Sequence, residues 1–255
     1  MIILLSPSKK LNESPKHMER SLQHPIFEKE ALELATIMKA KSSEELEKLL
    51  KISPALADLN QGRYKAFSKT VTEANSHQAV FTFAGTVYDG LGAETLSEEE
   101  VLFANAHLRH ISGVYGLLRP LDAIQPYRLD MGTRLENPRG KNLYQFWGDR
   151  VTEQLNAELR ESGSELVINL ASNEYSKVLK PKGINGRMLT LNFKEKRDGN
   201  YKAIMSFVKH ARGAMARYLI QKQVKDIDAI KDFSEDKYRF NESLSDEGTW
   251  IFSRW

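Results

Sequence analysis

Apolar runs and their spacing divide the chain into short strands and helices. Ile2–Leu5 is an unbroken apolar tetrad closed by Ser6 and Pro7, the pattern of a strand buried on both faces. Over 25–41 the apolar residues recur at helical spacing, with Ile26, Leu32, Leu34 and Met38 as core positions. Ser42, Ser43, Glu44 and Glu45 combine a hydroxyl cap with first-turn acids, so a short helix runs to about Leu50. A turn at Ile52, Ser53 and Pro54 leads into a second helix ending near Phe67. Residues 78–83 predict a strand, and Ser97 with Glu100 forms a capping box for a helix over 97–110. Farther along, the pattern predicts a helix over 143–161 and an apolar strand over 166–170. Strands over 188–193 and 201–207 flank a turn at Asp198, Gly199 and Asn200. A helix over 209–223 and two closing strands, 238–240 and 250–252, complete the chain. Short strands mixed with helices, without repeat or linker, predict an α+β fold: a single domain over 1–255 with a mixed β-sheet flanked by helices.

Between these elements, 112–132 breaks the pattern. It holds Ser112, Tyr115, Arg119, Asp122, Tyr127, Arg128 and Asp130 among apolar residues, punctuated by Gly113, Gly116, Gly132, Pro120 and Pro126. A core strand has no use for that mixture, and a solvent loop carries fewer apolar residues. Glycine lets backbone approach closely, and arginine beside a turn presents a rigid fork to phosphate or carboxylate. The segment therefore reads as a structured loop lining a polar site.

The 255 residues are 41% hydrophobic and 28% charged, values of an ordinary soluble protein. Without cysteine, disulfides, thiolate metal sites and cysteine nucleophiles are excluded. No apolar run approaches a membrane span, and the first apolar run is too short for a secretory leader, so a cytoplasmic location is expected. The net charge of +3 is small, but it is segregated. Acids gather at 94–100 and 234–247, bases at 177–182, 187–197 and 209–217, which can build one positive face.

Four motifs bear on chemistry. Residues 49–59 match a helix-hairpin-helix, in which a tight turn and the start of the second helix present amides to a DNA phosphate. The element spans about 43–67. Lys51 and Ser53 stand where that motif usually has glycine; Lys51 adds charge and Ser53 is a helix cap, while Ile52, Ala57 and Leu59 fill the apolar positions. An ordinary capped hairpin explains the same residues equally well. Next, Lys209, Arg212 and Arg217 share a basic helix with Gly213 and Ala216 between them, a pattern for phosphate contact or for close helix packing. An interior glycine costs about 1 kcal/mol against alanine, which favours a functional reason for Gly213. Asn169 and Tyr175 follow an apolar strand, where α/β proteins place sites, with Ser172 as a helix cap. Lys9 lies just past the first strand.

Other chemistries find little support. His107 and His110, three apart on the predicted helix, lack a third ligand, and His17, His24, His77 and His210 are scattered. Gly85, Gly90 and Gly92 match neither a phosphate loop nor a dinucleotide fingerprint, and no serine elbow surrounds Ser112 or Ser172. No metal or cofactor is implied.

Taken together, these stretches resemble the YaaA family of bacterial peroxide-stress resistance proteins over essentially the whole chain. The resemblance rests on 5–11, 112–132, 134–137, 143–149, 167–175 and 209–213. It implies an intracellular protein that limits peroxide damage, is associated with lowering free iron, and binds double-stranded DNA through a positive cleft and a helix-hairpin-helix. It brings no catalytic residue. Mapped onto this sequence, the hairpin role falls on Lys51, Ser53 and Pro54, and the cleft on Lys9, Arg119, Arg128, Lys209 and Arg212, with Arg217 added from the basic helix. The residues themselves keep a second reading open: an enzyme acting on a nucleotide, nucleobase or damaged DNA, in a pocket built from Ser112, Tyr115, Asp122, Tyr127, Asn169 and Tyr175.

Overall fold

The computed structural model describes all residues except 16, 17, 20 and 21, so His17 lies outside the described residues. Twelve strands and ten α-helices alternate among the described residues. The strands are β1 (Ile2–Leu5), β2 (Lys10–Leu11), β3 (His77–Gln78), β4 (Phe83–Ala84), β5 (Leu108–Ser112) and β6 (Gly116–Leu118). They continue with β7 (Ala123–Ile124), β8 (Leu166–Asn169), β9 (Arg187–Arg197), β10 (Asn200–Lys202), β11 (Arg239–Phe240) and β12 (Thr249–Arg254). The helices are α1 (Glu28–Lys39), α2 (Ser43–Leu50), α3 (Pro54–Ala66), α4 (Ala79–Thr82) and α5 (Thr86–Leu91). The rest are α6 (Glu98–His107), α7 (Leu143–Trp147), α8 (Arg150–Glu161), α9 (Asn173–Ser176) and α10 (Met205–Gln221).

The main sheet runs β11-β12-β9-β8-β1-β5-β6, with β10 paired to β9. Its centre, β12-β9-β8-β1-β5, is parallel; the edge pairs β11–β12, β5–β6 and β9–β10 are antiparallel. This is the expected mixed sheet flanked by helices. Every residue of β1 and β5 is buried, as central strands covered on both faces require. Both capping boxes form, Ser42 with Glu45 and Ser97 with Glu100.

Several expected boundaries are corrected. The helix expected over 97–110 ends at His107, and Leu108–Ser112 is a central strand. Its alternation is hidden because Arg109, His110 and Ser112 are buried and bonded inside. The strand expected over 78–83 is two strand fragments around the helical turn α4. The helix expected over 143–161 breaks at Gly148, which adopts φ 53°. Residues 205–207 belong to α10 rather than to a strand. Leu34 and Met38 are fully buried as expected, whereas Ile26 and Leu32 are half-buried.

Helices α5 and α10 cross at very close range. A Cβ on Gly213 would lie 1.8 Å from the Val87 carbonyl oxygen, and one on Gly90 would lie 2.2 Å from that of His210. Gly213 is thus explained by helix packing, and this corrects the functional reading of that glycine.

Candidate functional site at the carboxyl ends of the parallel strands

Strands β1, β5 and β8 are adjacent and parallel, so the residues following each emerge at one edge of the sheet. Open α/β sheets place sites there. Ser6 follows β1, Ser112 ends β5, and Ser172 follows β8. Ser6 Oγ accepts the Ser172 amide at 2.9 Å and lies 3.5 Å from Ser172 Oγ, tying the two strand ends together. Ser172 stands at the N-cap of α9, but its side chain makes no capping bond, which corrects the cap assigned to its hydroxyl.

The segment 112–132 crosses this edge and is welded to it. Ser112 Oγ lies 2.7 Å from Tyr127 Oη and accepts the amides of Val114 and Tyr115. Tyr115 Oη accepts the Gln125 amide, and Tyr64 of α3 donates to the Arg128 carbonyl at 2.9 Å. A Cβ on Gly113 would fall 2.2 Å from the Leu129 carbonyl oxygen, so glycine is needed for the segment to fold back on itself. The turn then delivers Asp130 to the strand ends. Lys9 Nζ pairs with Asp130 Oδ2 at 2.6 Å, and Tyr175 Oη donates to Asp130 Oδ1 at 3.4 Å. Residues far apart in sequence thus converge on one carboxylate.

Beneath this group lies an aromatic layer in which Phe83 touches Tyr88, His110 and Tyr127, and Tyr127 meets Tyr115 edge-on. Tyr88 Oη donates to the Ser6 carbonyl at 3.1 Å. Its one hydrogen being so used, it accepts from His110 Nδ1 at 3.0 Å. His110 Nε2 therefore keeps its lone pair, buried and without a partner. Burial lowers the His110 pKa to about 3, so the imidazole is neutral. Burial raises the hydroxyl pKa of Tyr88, Tyr127 and Tyr175, so all three phenols are neutral.

Other expected site residues are placed differently. Asp122 is fully buried, accepting from Arg119 Nε at 3.0 Å and Gln23 at 2.8 Å. Burial raises its pKa, against the opposing pull of Arg119. Arg119 also donates to the His24 carbonyl, so this pair clips 112–132 to the segment before α1. Asn169 bonds Thr190 and the Ala171 amide and shapes the turn after β8. Arg217 donates to the carbonyls of Leu91 and Gly92 and to Thr95, closing the end of α5. His110 is on a strand rather than on a helix with His107, so that ligand pair does not exist; His107 donates instead to the Met1 carbonyl.

Besides Lys51, three of the expected basic residues keep unpaired charge among the described residues. Lys209 is exposed without an ion pair. The Nε atoms of Arg128 and Arg212 are buried and have no hydrogen-bond partner. Burial also lowers the Arg212 pKa.

A short turn joins α2 to α3. Lys51 adopts the left-handed region at φ 54° and ends α2, while Pro54 begins α3. Lys51, Ser53 and Pro54 are exposed. Ser53 makes no side-chain cap, correcting that expectation, and among the described residues no hydrogen bond engages the amides of Ala55 and Leu56. Ile52 and Ala57 pack inward, but Leu59 is 44% exposed rather than apolar filling.

Sequence reasoning misses Asp130 as the meeting point of Lys9 and Tyr175, together with the pairing of Tyr88 with His110. Asp130 is visible there only as one of two acids in 112–132. Tyr88 and His110 are divided between a glycine loop and an expected helix.

The model of the family described as Peroxide stress protein YaaA matches residues 1–244. A UPF0246 protein of Saccharophagus degradans is 45% identical over 255 residues, covering 100% of this chain and 99% of its own length. UPF0246 proteins of Aliivibrio fischeri and Burkholderia mallei are 44% and 46% identical, each covering 100% of this chain and 98% of its own length. The full-length agreement shows that this chain belongs to the peroxide stress protein YaaA family.

Proposed function

We propose that this peroxide stress protein acts on DNA, binding the phosphate backbone of the duplex without reading sequence, and that its association with lower free iron is an indirect consequence. The observation that carries the reading is the α2–α3 hairpin. Lys51 sits in a left-handed turn, Pro54 occupies the first position of α3, and the next two amides are unengaged at an exposed helix start. That arrangement suits a phosphate, because free first-turn amides and the helix dipole both favour an anion. The unpaired Lys209, Arg128 and Arg212 supply further positive charge.

Duplex affinity measured against salt tests this. A logarithmic slope near −0.9 per phosphate contact is expected. Lys51→Glu with Ser53→Glu, both at exposed positions, should weaken binding at least tenfold in a folded protein. Salt-independent affinity, or a double variant that binds as well as the parent, refutes the hairpin reading.

A second reading is favoured by the convergence of Lys9 and Tyr175 on Asp130. A lysine, a carboxylate and a neutral phenol at parallel strand ends are groups for proton transfer on a nucleotide or nucleobase. Asp130→Asn should abolish any turnover of damaged DNA or nucleotides while leaving duplex affinity within about twofold. Turnover that survives this change excludes the site.

A further inference from the structure

The far end of the sheet carries a second basic surface. Strand β9 alternates: Leu189, Leu191, Phe193 and Glu195 are buried, while Thr190, Asn192 and Lys194 are half-buried and Lys196 is exposed. The sheet is therefore covered on one face here and open on the other. Register places the open-face residues in rows. Tyr201 of β10 lies opposite Lys196, Ser253 of β12 lies beside Lys194, and Arg239 of β11 lies opposite Ser253. Lys237 and Trp255 close the margin of a cavity of about 540 Å³ lined by Lys196, Tyr201, Lys237, Arg239, Ser253 and Trp255, with Arg254 at its edge.

The charges at this cavity are unbalanced. Glu195 points to the covered face, where Arg254 donates to it at 2.8 and 3.0 Å and Tyr238 also bonds it. Among the described residues, Lys196, Lys237 and Arg239 form no ion pair, although Arg239 Nη1 donates to the carbonyls of Ser234 and Tyr238, leaving its other two nitrogens for a ligand. Lys237 Nζ rests 4.6 Å from the Trp255 ring centre, and Lys196 Nζ 5.8 Å from that of Tyr201. Exposed cation–π contacts of this kind are weak and yield readily to a phosphate and a stacked base. Asp236 and Lys237 are consecutive non-glycine residues at φ 52° and 66°, held by the Arg254 bond to the Asp236 carbonyl and by the His210–Asp236 pair. That strained turn is what projects Lys237 over Trp255.

We propose that this open sheet face binds single-stranded nucleic acid, with bases stacking on Trp255 and Tyr201 and phosphates pairing with Lys196, Lys237 and Arg239. Exposed aromatic faces interleaved with unpaired cations are the recognition chemistry of single strands. A duplex does not fit it, because its base faces are already covered. The surface is separate from the α2–α3 hairpin, so this inference stands or falls independently of the duplex reading.

Trp255 is 63% exposed, whereas Trp147 and Trp250 are 0% and 8% exposed, so fluorescence quenching reports on this site. An oligothymidylate of about ten nucleotides, within the usual range of site sizes, should quench Trp255 and bind with strong salt dependence. Trp255→Ala should weaken binding at least fivefold, followed by anisotropy of a labelled oligonucleotide. Lys196→Glu with Arg239→Glu should weaken it at least tenfold, while Lys51→Glu leaves it unchanged. At least tenfold tighter binding of the oligonucleotide than of thymidine monophosphate supports a strand. Equal affinity for the two overturns the strand and leaves a free-nucleotide site. Equal competition by polyglutamate or by anionic vesicles, or unaltered affinity in the variants, overturns the proposal entirely.

Discussion

Replacing Gly213 with alanine tests the packing account most directly, because two effects of opposite sign compete at one atom. In an exposed helix interior, glycine to alanine stabilises by about 0.5–1 kcal/mol through backbone entropy. At Gly213 the new Cβ would lie 1.8 Å from the Val87 carbonyl oxygen, 2.7 Å from the Leu91 nitrogen and 2.9 Å from the Val87 carbonyl carbon. These are backbone atoms of α5, so no side chain can swing away. An ordinary contact begins near 3.4 Å, and α5 and α10 must therefore part by roughly 1.6 Å. Overpacking of this kind costs about 1–3 kcal/mol, occasionally more, and exceeds the propensity gain. Gly62, in α3, provides the control, since nothing lies within 4 Å of where its Cβ would stand and its φ is ordinary. Urea denaturation followed by circular dichroism should show a lower midpoint for Gly213→Ala and a higher one for Gly62→Ala. At about 2–4 °C per kcal/mol for a chain of this size, thermal midpoints should move in opposite directions by several degrees. A neutral or stabilised Gly213→Ala variant would refute the close crossing of α5 and α10.

Further predictions concern buried polar groups. The Arg109–Glu158 pair is 2.5 Å long with side chains 7% and 6% exposed. Glu158→Ala leaves the arginine charge uncompensated and should cost about 3–5 kcal/mol in denaturant titration, with Glu158→Gln less damaging. His110 has an ordinary pKa of 6.5 that falls to about 3 in the folded chain. The unfolded state therefore binds the proton first: stability is full above pH 6.5 and falls as the pH drops towards 3, by up to about 1.4 kcal/mol per unit. His110→Phe should flatten this acid limb relative to the parent; an identical slope would show that the imidazole is not held neutral. Lys9→Met removes an exposed partner of Asp130 and should change stability by no more than about 1 kcal/mol. Its effect on duplex affinity or on turnover would then report on function rather than on folding.

Much of the architecture is legible in the sequence, and the misses share one physical origin. Capping boxes, the apolar tetrad of β1 and the hairpin turn are local signals, read from neighbouring residues. Strand β5 is not local. Leu108, Arg109, His110, Ile111 and Ser112 look amphipathic only if the polar groups face water, but Arg109 is held by Glu158, His110 by Tyr88 and Ser112 by Tyr127. Each partner comes from another part of the chain, so a polar residue inside the sheet is indistinguishable from a surface one until the fold is known. The same reasoning divides the arginines. Arg119 and Arg217 read like Arg128 and Arg212 in sequence, yet the first two are consumed by Asp122 and by the end of α5. The segment 112–132 is recognisable as unusual from its mixture of residues. That Gly113 lies against the Leu129 backbone, that Gly116 and Gly132 lie against the side chains of Trp147 and Glu174, and that its acids serve different ends is not, because those partners are fixed only by the fold.

The positions of Asp122 and Asp130 argue for a division of labour within that one segment. Asp122 is fully buried and bonded by Arg119 and Gln23, so substrate has no approach to it. It fixes the middle of the segment, while the Ser112–Tyr127 contact ties the two flanks on either side of it together. Asp130 is partly exposed, and its partners Lys9 and Tyr175 come from two separate strand ends. A carboxylate held this way needs a rigid frame, because a small displacement of the segment would part it from both. The buried polar groups of 112–132 are thus best understood as the frame, and Asp130 as what the frame holds. If so, Asp122→Asn and Asp130→Asn should separate cleanly: the first should lower stability, the second should leave it nearly intact and alter only ligand behaviour. Equal losses of stability in both would show that Asp130 is simply another structural clip.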